Sequence, residues 1–511
     1  MVQTAGAKGD VRTGLLIGGE MVEASDSFPV FDPAAPQQVV GHAAAATQDQ
    51  AHEAVRAADE AWKDWSALAP ERRAEILTQA LGALEADNDE RVDLLVRENG
   101  KVRSEAAVEL SVFSQRCRLA AGSAWQVDQV RHLPPPRQGE TASGGEAQAE
   151  KGREEQVVPP FRSEVSSLPL GVVTIIVPYN WPLAILAASL PYALVAGNTA
   201  IVKPPPTTPL SVVRTLQLLA QQLPAGVLNV VTGSNENVSP LLLDPRVRRI
   251  VFTGSTQAGK KIMTMAAENV TRVTLELGGN DPAIVLDDAE LDEAAIQRLT
   301  IASFLTTGQV CMGIKRVYVH RTRFDEVVSG MSDMLGGYRM GHGLAPETTM
   351  GPLNSARQRD YVQELVEEAR SAGREVREFG TIGDDALAAG GYFLRPSLVL
   401  DPAPQERIVT EEQFGPALPI LAYDDLDEVI DLVNNDWSGL CSSVWTGDLD
   451  RAARVAGRLR TGTTWVNDAN AVAQDDRAPF GGFRQSGMGR ELGTEGLMEM
   501  TQPHTVTYSQ E

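Results

Sequence analysis

Three side chains in this 511-residue chain are of types that do covalent or proton-transfer chemistry and stand in settings that could use it. Cys311 lies in "LTTGQVCMG", residues 305–313, and is one of three cysteines. A lone cysteine is either a small apolar filler or, once ionised, a soft nucleophile. No Cys-His pair accompanies it. His320, nine residues on at the end of an apolar run, reads as structural. Glu276, in "LELGGND", is a carboxylate among leucines, two residues before a Gly-Gly pair. It is either a buried, hydrogen-bonded group or a general base whose pKa is raised by apolar surroundings. Asn180, in "VPYNWPL", is pinned between two prolines. Its amide could cap a helix or donate to a developing oxyanion.

Two further stretches suit an anionic ligand. "FTGSTQAG" reads as a strand end, a turn at Gly254 and Ser255, and a helix start, whose free N–H groups suit a phosphate. A plain strand-turn-helix fits the stretch equally well, since Thr256 stands where a GxGxxG pattern has its middle glycine. Lys203 follows the run "TAIV", where an open parallel sheet presents ligands, although a solvated surface lysine has the same signature.

The elements that must position these residues read as two α/β units. From residue 170 the chain alternates: "GVVTIIV", "TAIVKP", "VLNVVTG", "RRIVFTG" and "RVTLELGG" as strands, with helical runs such as "LAILAASLPYALVAG" between them. That alternation predicts a parallel, doubly wound sheet. A second series follows, with "RVYVH", "LPILAYD" and "GTTWVN" as strands and "DEAAIQRLTIASFLTTG" as a helix closing at Gly308. Cys311 would then follow a helix C-terminus, whose dipole disfavours a thiolate. The first 130 residues read as mainly helical after a strand region at "GLLIGGEMVEA", with Ala51, Val55, Ala58, Trp62 and Trp65 forming a helical stripe. Residues 133–156, rich in Pro, Gly, Glu and Gln, read as a mobile surface loop. The tail "GLMEMTQPHTVTYSQE" ends as an alternating strand suited to pairing outside its own domain.

Composition narrows the partners. The chain carries 45 Lys and Arg against 68 Asp and Glu, a net charge of −23, which argues against nucleic-acid or anionic-membrane binding. Three widely spaced cysteines without a CxxC predict neither a disulfide framework nor a metal site. No opening apolar segment of signal length and no window of about 18 apolar residues is present, so a cytoplasmic protein is expected.

Taken together, "PYNWPL", "KPPPTTPL", "LPAGVLNVVTG", "FTGSTQAG", "LELGGNDP", "TTGQVCMG", "EEQFGPALPI" and "PFGGFRQSGMGRELG" resemble the aldehyde dehydrogenase superfamily in order and spacing, from about residue 15 onwards. The resemblance implies a Rossmann-like dinucleotide-binding domain (1–132 and 161–277), an α/β catalytic domain (278–480) and a small β oligomerisation element (133–160 and 495–511). It implies that Cys311 adds to an aldehyde, giving a thiohemiacetal and then a thioester. Asn180 and the Cys311 N–H would hold the oxyanion, and Glu276 would activate the hydrolytic water. For NAD or NADP it implies Ile176, Val177, Pro178, Tyr179, Lys203, Gly254, Ser255, Glu412 and Phe414: Lys203 on the adenine ribose, Ser255 at the pyrophosphate, Glu412 on the nicotinamide ribose. For the substrate entrance it implies Trp181, Ile185, Val310, Met312 and Phe480, with Ala184 and Ala188 making room and Arg477 nearby for a substrate carboxylate. It also implies a homodimer or homotetramer.

The chain departs from the family's pattern in places. Pro206 stands where NAD-preferring members often carry a ribose-binding Glu, which leaves the choice of NAD or NADP open. Tyr179 and Trp181 replace the more usual Trp and Phe, and the 133–156 stretch is roughly twenty residues longer than the usual connection. Rival readings are a CoA-acylating dehydrogenase, which would need no base at Glu276, a non-catalytic binding protein, and a cofactor-independent thiol hydrolase.

Overall fold

In the computed structural model, residues 11–85, 87–133 and 161–509 are described. The expected loop at 133–156 lies, beyond Leu133, outside them.

The first parallel series forms as expected. Arg272–Glu276, Val247–Thr253, Val172–Ile176, Thr199–Lys203 and Leu228–Val230 lie side by side and parallel. Antiparallel strands extend both edges: Gly487–Met488 on one, Leu15–Ile17 and Glu20–Val22 on the other. The helix Pro182–Val195 starts on a proline, whose fixed φ suits a first turn, and nearly all its residues are buried. The helix Gln48–Ser66 is started by a reciprocal cap between Thr47 and Gln50. It buries Ala51, Val55, Ala58 and Trp65 of the expected stripe; Trp62 is half-buried.

The second sheet runs Glu375–Glu378, Ser397–Leu400, Ala417–Tyr423, Arg316–His320, Pro282–Val285, Cys441–Trp445 and Thr463–Val466, parallel except at the first strand. Pro282–Val285, Ser397–Leu400 and Cys441–Trp445 are not announced by the sequence pattern. They are four or five residues long, and apolar runs of that length carry no periodicity that separates strand from helix.

One expectation needs correcting near the N-terminus. Residues read as leading straight into helices instead form the hairpin Asp26–Asp32 with Ala35–Ala45, flanked by Val11–Thr13. The second strand ends in an alanine-rich run, "HAAAA", of high helix propensity. Pairing of Phe28 with Ala43 and Ser27 with Ala44 overrides that local preference.

The domain bounds also shift. The C-terminal strand Thr501–Ser509 pairs antiparallel with Phe161–Pro169 over nine residue pairs, and Arg131–His132 adds to the far side. The strand expected near residue 160 beside the C-terminal strand is thus Phe161–Pro169, so the small sheet runs past the bound drawn at residue 160. Likewise the chain beyond 480 returns to the first sheet, where Gly487 pairs with Glu276. The pairing fixes membership: a strand belongs to the sheet that satisfies its N–H and C=O groups.

Asn198 ties these parts together. Its side chain is fully buried, accepts from the N–H groups of Leu170 (2.7 Å) and Gly171 (3.0 Å), and donates to the carbonyls of Ala193 (3.2 Å) and Met500 (2.8 Å). One amide thus joins a strand start, a helix end and the residue before the C-terminal strand. Asn198→Ala leaves those groups unpaired and is expected to destabilise the protein by about 2–4 kcal/mol. The readout is a lower urea midpoint; an unchanged midpoint would show that the amide is dispensable.

Candidate active site

A cavity of about 320 Å³ opens where the carboxyl ends of three neighbouring strands of the first sheet meet loops of the second unit. Pro178, Tyr179 and Asn180 follow Val172–Ile176, Gly254 and Ser255 follow Val247–Thr253, and Glu276 ends Arg272–Glu276. Cys311, Glu412 and Phe414 close the cavity from the other side. Nine residues singled out from the sequence thus share one hollow. Gly278, from the Gly-Gly pair after Glu276, also lines it, as do Gln358 and Tyr361, which escaped sequence reasoning.

The expected helix does not run on to Gly308. It ends at Phe304, and the chain then takes left-handed backbone at Thr306 (φ 51°), Thr307 (φ 58°) and Gly308 (φ 73°). Cys311 therefore lies seven residues beyond the helix, outside the last turn where the dipole acts. Left-handed geometry at two β-branched residues costs on the order of 1–3 kcal/mol each. Distant groups hold it. The Glu105 carboxylate accepts from Thr306 N–H at 2.8 Å, the Trp181 indole donates to the Thr306 hydroxyl at 3.0 Å, and the Thr307 hydroxyl donates to the Gly351 carbonyl at 2.9 Å. A Cβ at Gly308 would fall on the Gly415 carbonyl, so only glycine fits there.

Asn180 is buried and its side chain does not cap a helix. Its Nδ2 donates to the Gln309 carbonyl at 2.9 Å, which leaves the amide's second N–H, and its Oδ1 has no partner. The capping of Pro182–Val195 falls instead to Glu109, whose Oε1 accepts from Leu183 N–H at 2.7 Å. Glu109 also pairs with the fully buried Lys101, which donates to the Asn180 carbonyl at 2.7 Å and lies 4.0 Å from the Trp181 ring centroid. Lys101, Glu105 and Glu109 are thus positioning groups that sequence reasoning missed. Their only local signal is charge within an otherwise ordinary helical stretch.

Glu276 is buried with both carboxylate oxygens unpartnered. Burial, then repulsion from Glu491, pushes its pKa well above the usual range, against a smaller pull from Arg490. Glu412 has an unpartnered Oε1 and is pushed up to about 7 by burial, against Lys315 and a bond from the Gly279 N–H. Burial also pushes the Cys311 thiol up to about 12, helped by Glu412, Asp281 and Glu276. At neutral pH this thiol is protonated in the free protein.

Lys203 ends its strand, buried, with no ion-pair partner among the described residues, and burial lowers its pKa. Ser255 caps the helix Thr256–Ala266, its hydroxyl accepting from Ala258 N–H at 3.3 Å. Tyr179 meets the Phe414 ring edge-on at 6.1 Å and donates to Gln309 at 3.2 Å. Ile176 and Val177 pack into the hydrophobic cores beneath. Trp181, Ala184 and Val310 form a separate small apolar cluster, with Ile185 and Met312 against it. Phe480 belongs to the large core of the first unit, against which Ile185, Cys311 and Met312 also pack. Arg477 turns to Asp475 at the surface, at 2.8 Å, so its guanidinium is engaged away from the cavity.

The model of the aldehyde dehydrogenase family matches residues 21–506. A mitochondrial aldehyde dehydrogenase of Leishmania tarentolae is 35% identical, with 98% of this chain and 95% of the relative aligned. A phenylacetaldehyde dehydrogenase of Pseudomonas fluorescens is 32% identical over 95% and 94%. Among solved structures, a putative aldehyde dehydrogenase of Burkholderia cenocepacia superimposes with a TM-score of 0.88 at 33% identity, covering 97% of both chains. A betaine aldehyde dehydrogenase of Staphylococcus aureus, in complex with NAD+, does so at 0.87 and 28% identity, over 97% of both. The chain belongs to the aldehyde dehydrogenase family.

Proposed function

We propose that the chain oxidises an apolar aldehyde to a carboxylic acid, with NAD or NADP as hydride acceptor and Cys311 as nucleophile. The observation that carries this reading is the set of buried polar atoms left unpartnered around one cavity: Asn180 Oδ1, both oxygens of Glu276 and Glu412 Oε1. Buried polar atoms are ordinarily satisfied, so a group of orphans in one hollow marks places for a ligand.

A nicotinamide dinucleotide fits the residues present. Glu412 can accept from two ribose hydroxyls, and Gly278 leaves room for it, because a Cβ there would displace Glu412 Oε2. Ser255 and the N–H groups of the helix Thr256–Ala266 suit a pyrophosphate. Lys203 is a buried donor without a carboxylate partner among the described residues, placed for an adenosine ribose. Pro206 is exposed and brings no carboxylate to repel a 2′-phosphate. Both cofactors are therefore accepted in this reading. When bound, the dinucleotide accepts hydride from the aldehyde carbon.

The chain's own residues do the rest. The Cys311 thiol gives up its proton to solvent, and the sulfur then bonds to the aldehyde carbon as the carbonyl π pair moves to oxygen. The Asn180 amide and the Cys311 N–H, which has no acceptor among the described residues, hold that oxyanion. After hydride loss the carbon is a thioester on Cys311. Glu276 takes a proton from water, the hydroxide adds to the thioester, and the thiol leaves as the acid forms. Trp181, Val310 and Ala184, with Ile185 and Met312, offer an apolar wall to an aliphatic or aromatic aldehyde. The relative named for phenylacetaldehyde fits that leaning. We place the protein in the cytoplasm. We assign the small sheet, with exposed Leu168, Val506 and Tyr508, to assembly as a homodimer or homotetramer.

The primary test is reduced-cofactor formation against short and long aliphatic, aromatic, amino and carboxylate-bearing aldehydes, with NAD and NADP separately. Turnover of the apolar members with a free acid as product is expected; a CoA-dependent rate yielding acyl-CoA would overturn the reading. Glu276→Gln should keep a burst of reduced cofactor and then stall, with steady turnover down about 10²- to 10⁴-fold. Because Glu276 must be ionised to take a proton and its pKa is raised, kcat should climb with pH beyond the usual carboxylate range. A kcat already flat there would remove Glu276 as the base. Gly278→Ala should weaken dinucleotide binding at least about tenfold by calorimetry, since the Cβ displaces Glu412; unchanged affinity would remove Glu412 from the cofactor site.

A further inference from the structure

Lys315 stands four residues after Cys311, and its side chain turns back beneath the nucleophile segment. It is buried, at 2% exposure. Its ammonium donates to the carbonyls of Gly308 at 2.9 Å and Val310 at 2.8 Å, and lies 5.5 Å from the Phe414 ring centroid. No carboxylate comes within ion-pair distance of it among the described residues. A buried ammonium held only by carbonyls is costly, and burial lowers its pKa accordingly. Glu412, Asp281 and Cys311 oppose that lowering.

The Val310 carbonyl belongs to the same peptide unit as the Cys311 N–H. Gly313 N–H also donates to it, at 3.1 Å. That peptide is thus held at its oxygen by two donors, while its N–H has no acceptor among the described residues. Donation to an amide oxygen polarises the unit and strengthens its N–H as a donor. The charges around the sulfur point the same way. Glu412, Asp281 and Glu276 disfavour a thiolate at Cys311, the Cys441 thiol lies nearby, and Lys315 is the cation that favours one.

We propose that Lys315 is a positioning residue for the nucleophile: its ammonium fixes the Val310–Cys311 peptide with the N–H left to donate, and supplies the positive charge that offsets the buried carboxylates around the sulfur. The inference rests on the reading of Cys311 as the nucleophile. It extends that reading to a residue outside the cavity wall.

The test follows iodoacetamide modification of Cys311 in the full chain, located by peptide mass, from pH about 6 to about 10. Wild type, Lys315→Met and Lys315→Arg are compared. Lys315→Met should slow the reaction at neutral pH about tenfold, with the gap to wild type closing at the alkaline end as Lys315 itself loses its proton, and Lys315→Arg should restore the neutral-pH rate. If Lys315→Met does not fold, Lys315→Gln, which keeps a donor but no charge, serves in its place with the same expectation. A profile that superimposes on wild type overturns the proposal. A loss of rate that is the same at every pH, including where Lys315 is neutral, overturns it too, because it would mean a purely structural role. Aldehyde turnover by the wild type is measured separately. Turnover without a charge-dependent gap between wild type and Lys315→Met removes only the role of Lys315, whereas such a gap without turnover removes only the function proposed above.

Discussion

The left-handed turn at Thr306, Thr307 and Gly308 is the constraint on which the rest of the site depends. It takes the chain out of the helix Glu293–Phe304 and delivers Cys311 opposite the strand ends of the other unit. Two threonines do not adopt such backbone unaided. A carboxylate from the helix Arg103–Gly122, an indole from the segment before Pro182–Val195 and the carbonyl of Gly351 each hold part of it. The strained segment is therefore maintained by all the surrounding parts, as strain at functional sites generally is.

Electrostatics add a second layer. The cavity gathers Glu276 and Glu412, with Asp281 behind them, close to a thiol, and burial keeps each from ionising as readily as in water. Such an arrangement stores unfavourable free energy in the free protein. In the function proposed above, the cation beneath the thiol offsets those carboxylates, and a ligand and a developing oxyanion complete the bonds that the fold leaves open.

Much of this was legible beforehand. The parallel strands of the first sheet, and the placing of Asn180, Gly254 and Glu276 at their carboxyl ends, follow from apolar runs bounded by turn residues. Lys101, Glu105 and Glu109 were not legible. Thr306 and Glu105 are 201 positions apart, and Lys101 reaches a carbonyl 79 positions away. No local pattern encodes such pairings. The alanine-rich strand Ala35–Ala45 was misread for a related reason: its propensity is helical, and its neighbour in space makes it a strand.

By itself the sequence determined the chemical types available and their order along the chain: a thiol, a carboxylate among leucines, a pinned amide and a strand-turn-helix. These are properties of residue identity and local periodicity. Only the tertiary structure decided which polar atoms stay unpartnered, that Phe480 packs in a core and Arg477 turns to Asp475, and that burial holds the Cys311 thiol above its ordinary pKa. Hydrogen-bond satisfaction and ionisation depend on burial. Burial is set by which distant segments meet, and short-range sequence pattern carries no record of that.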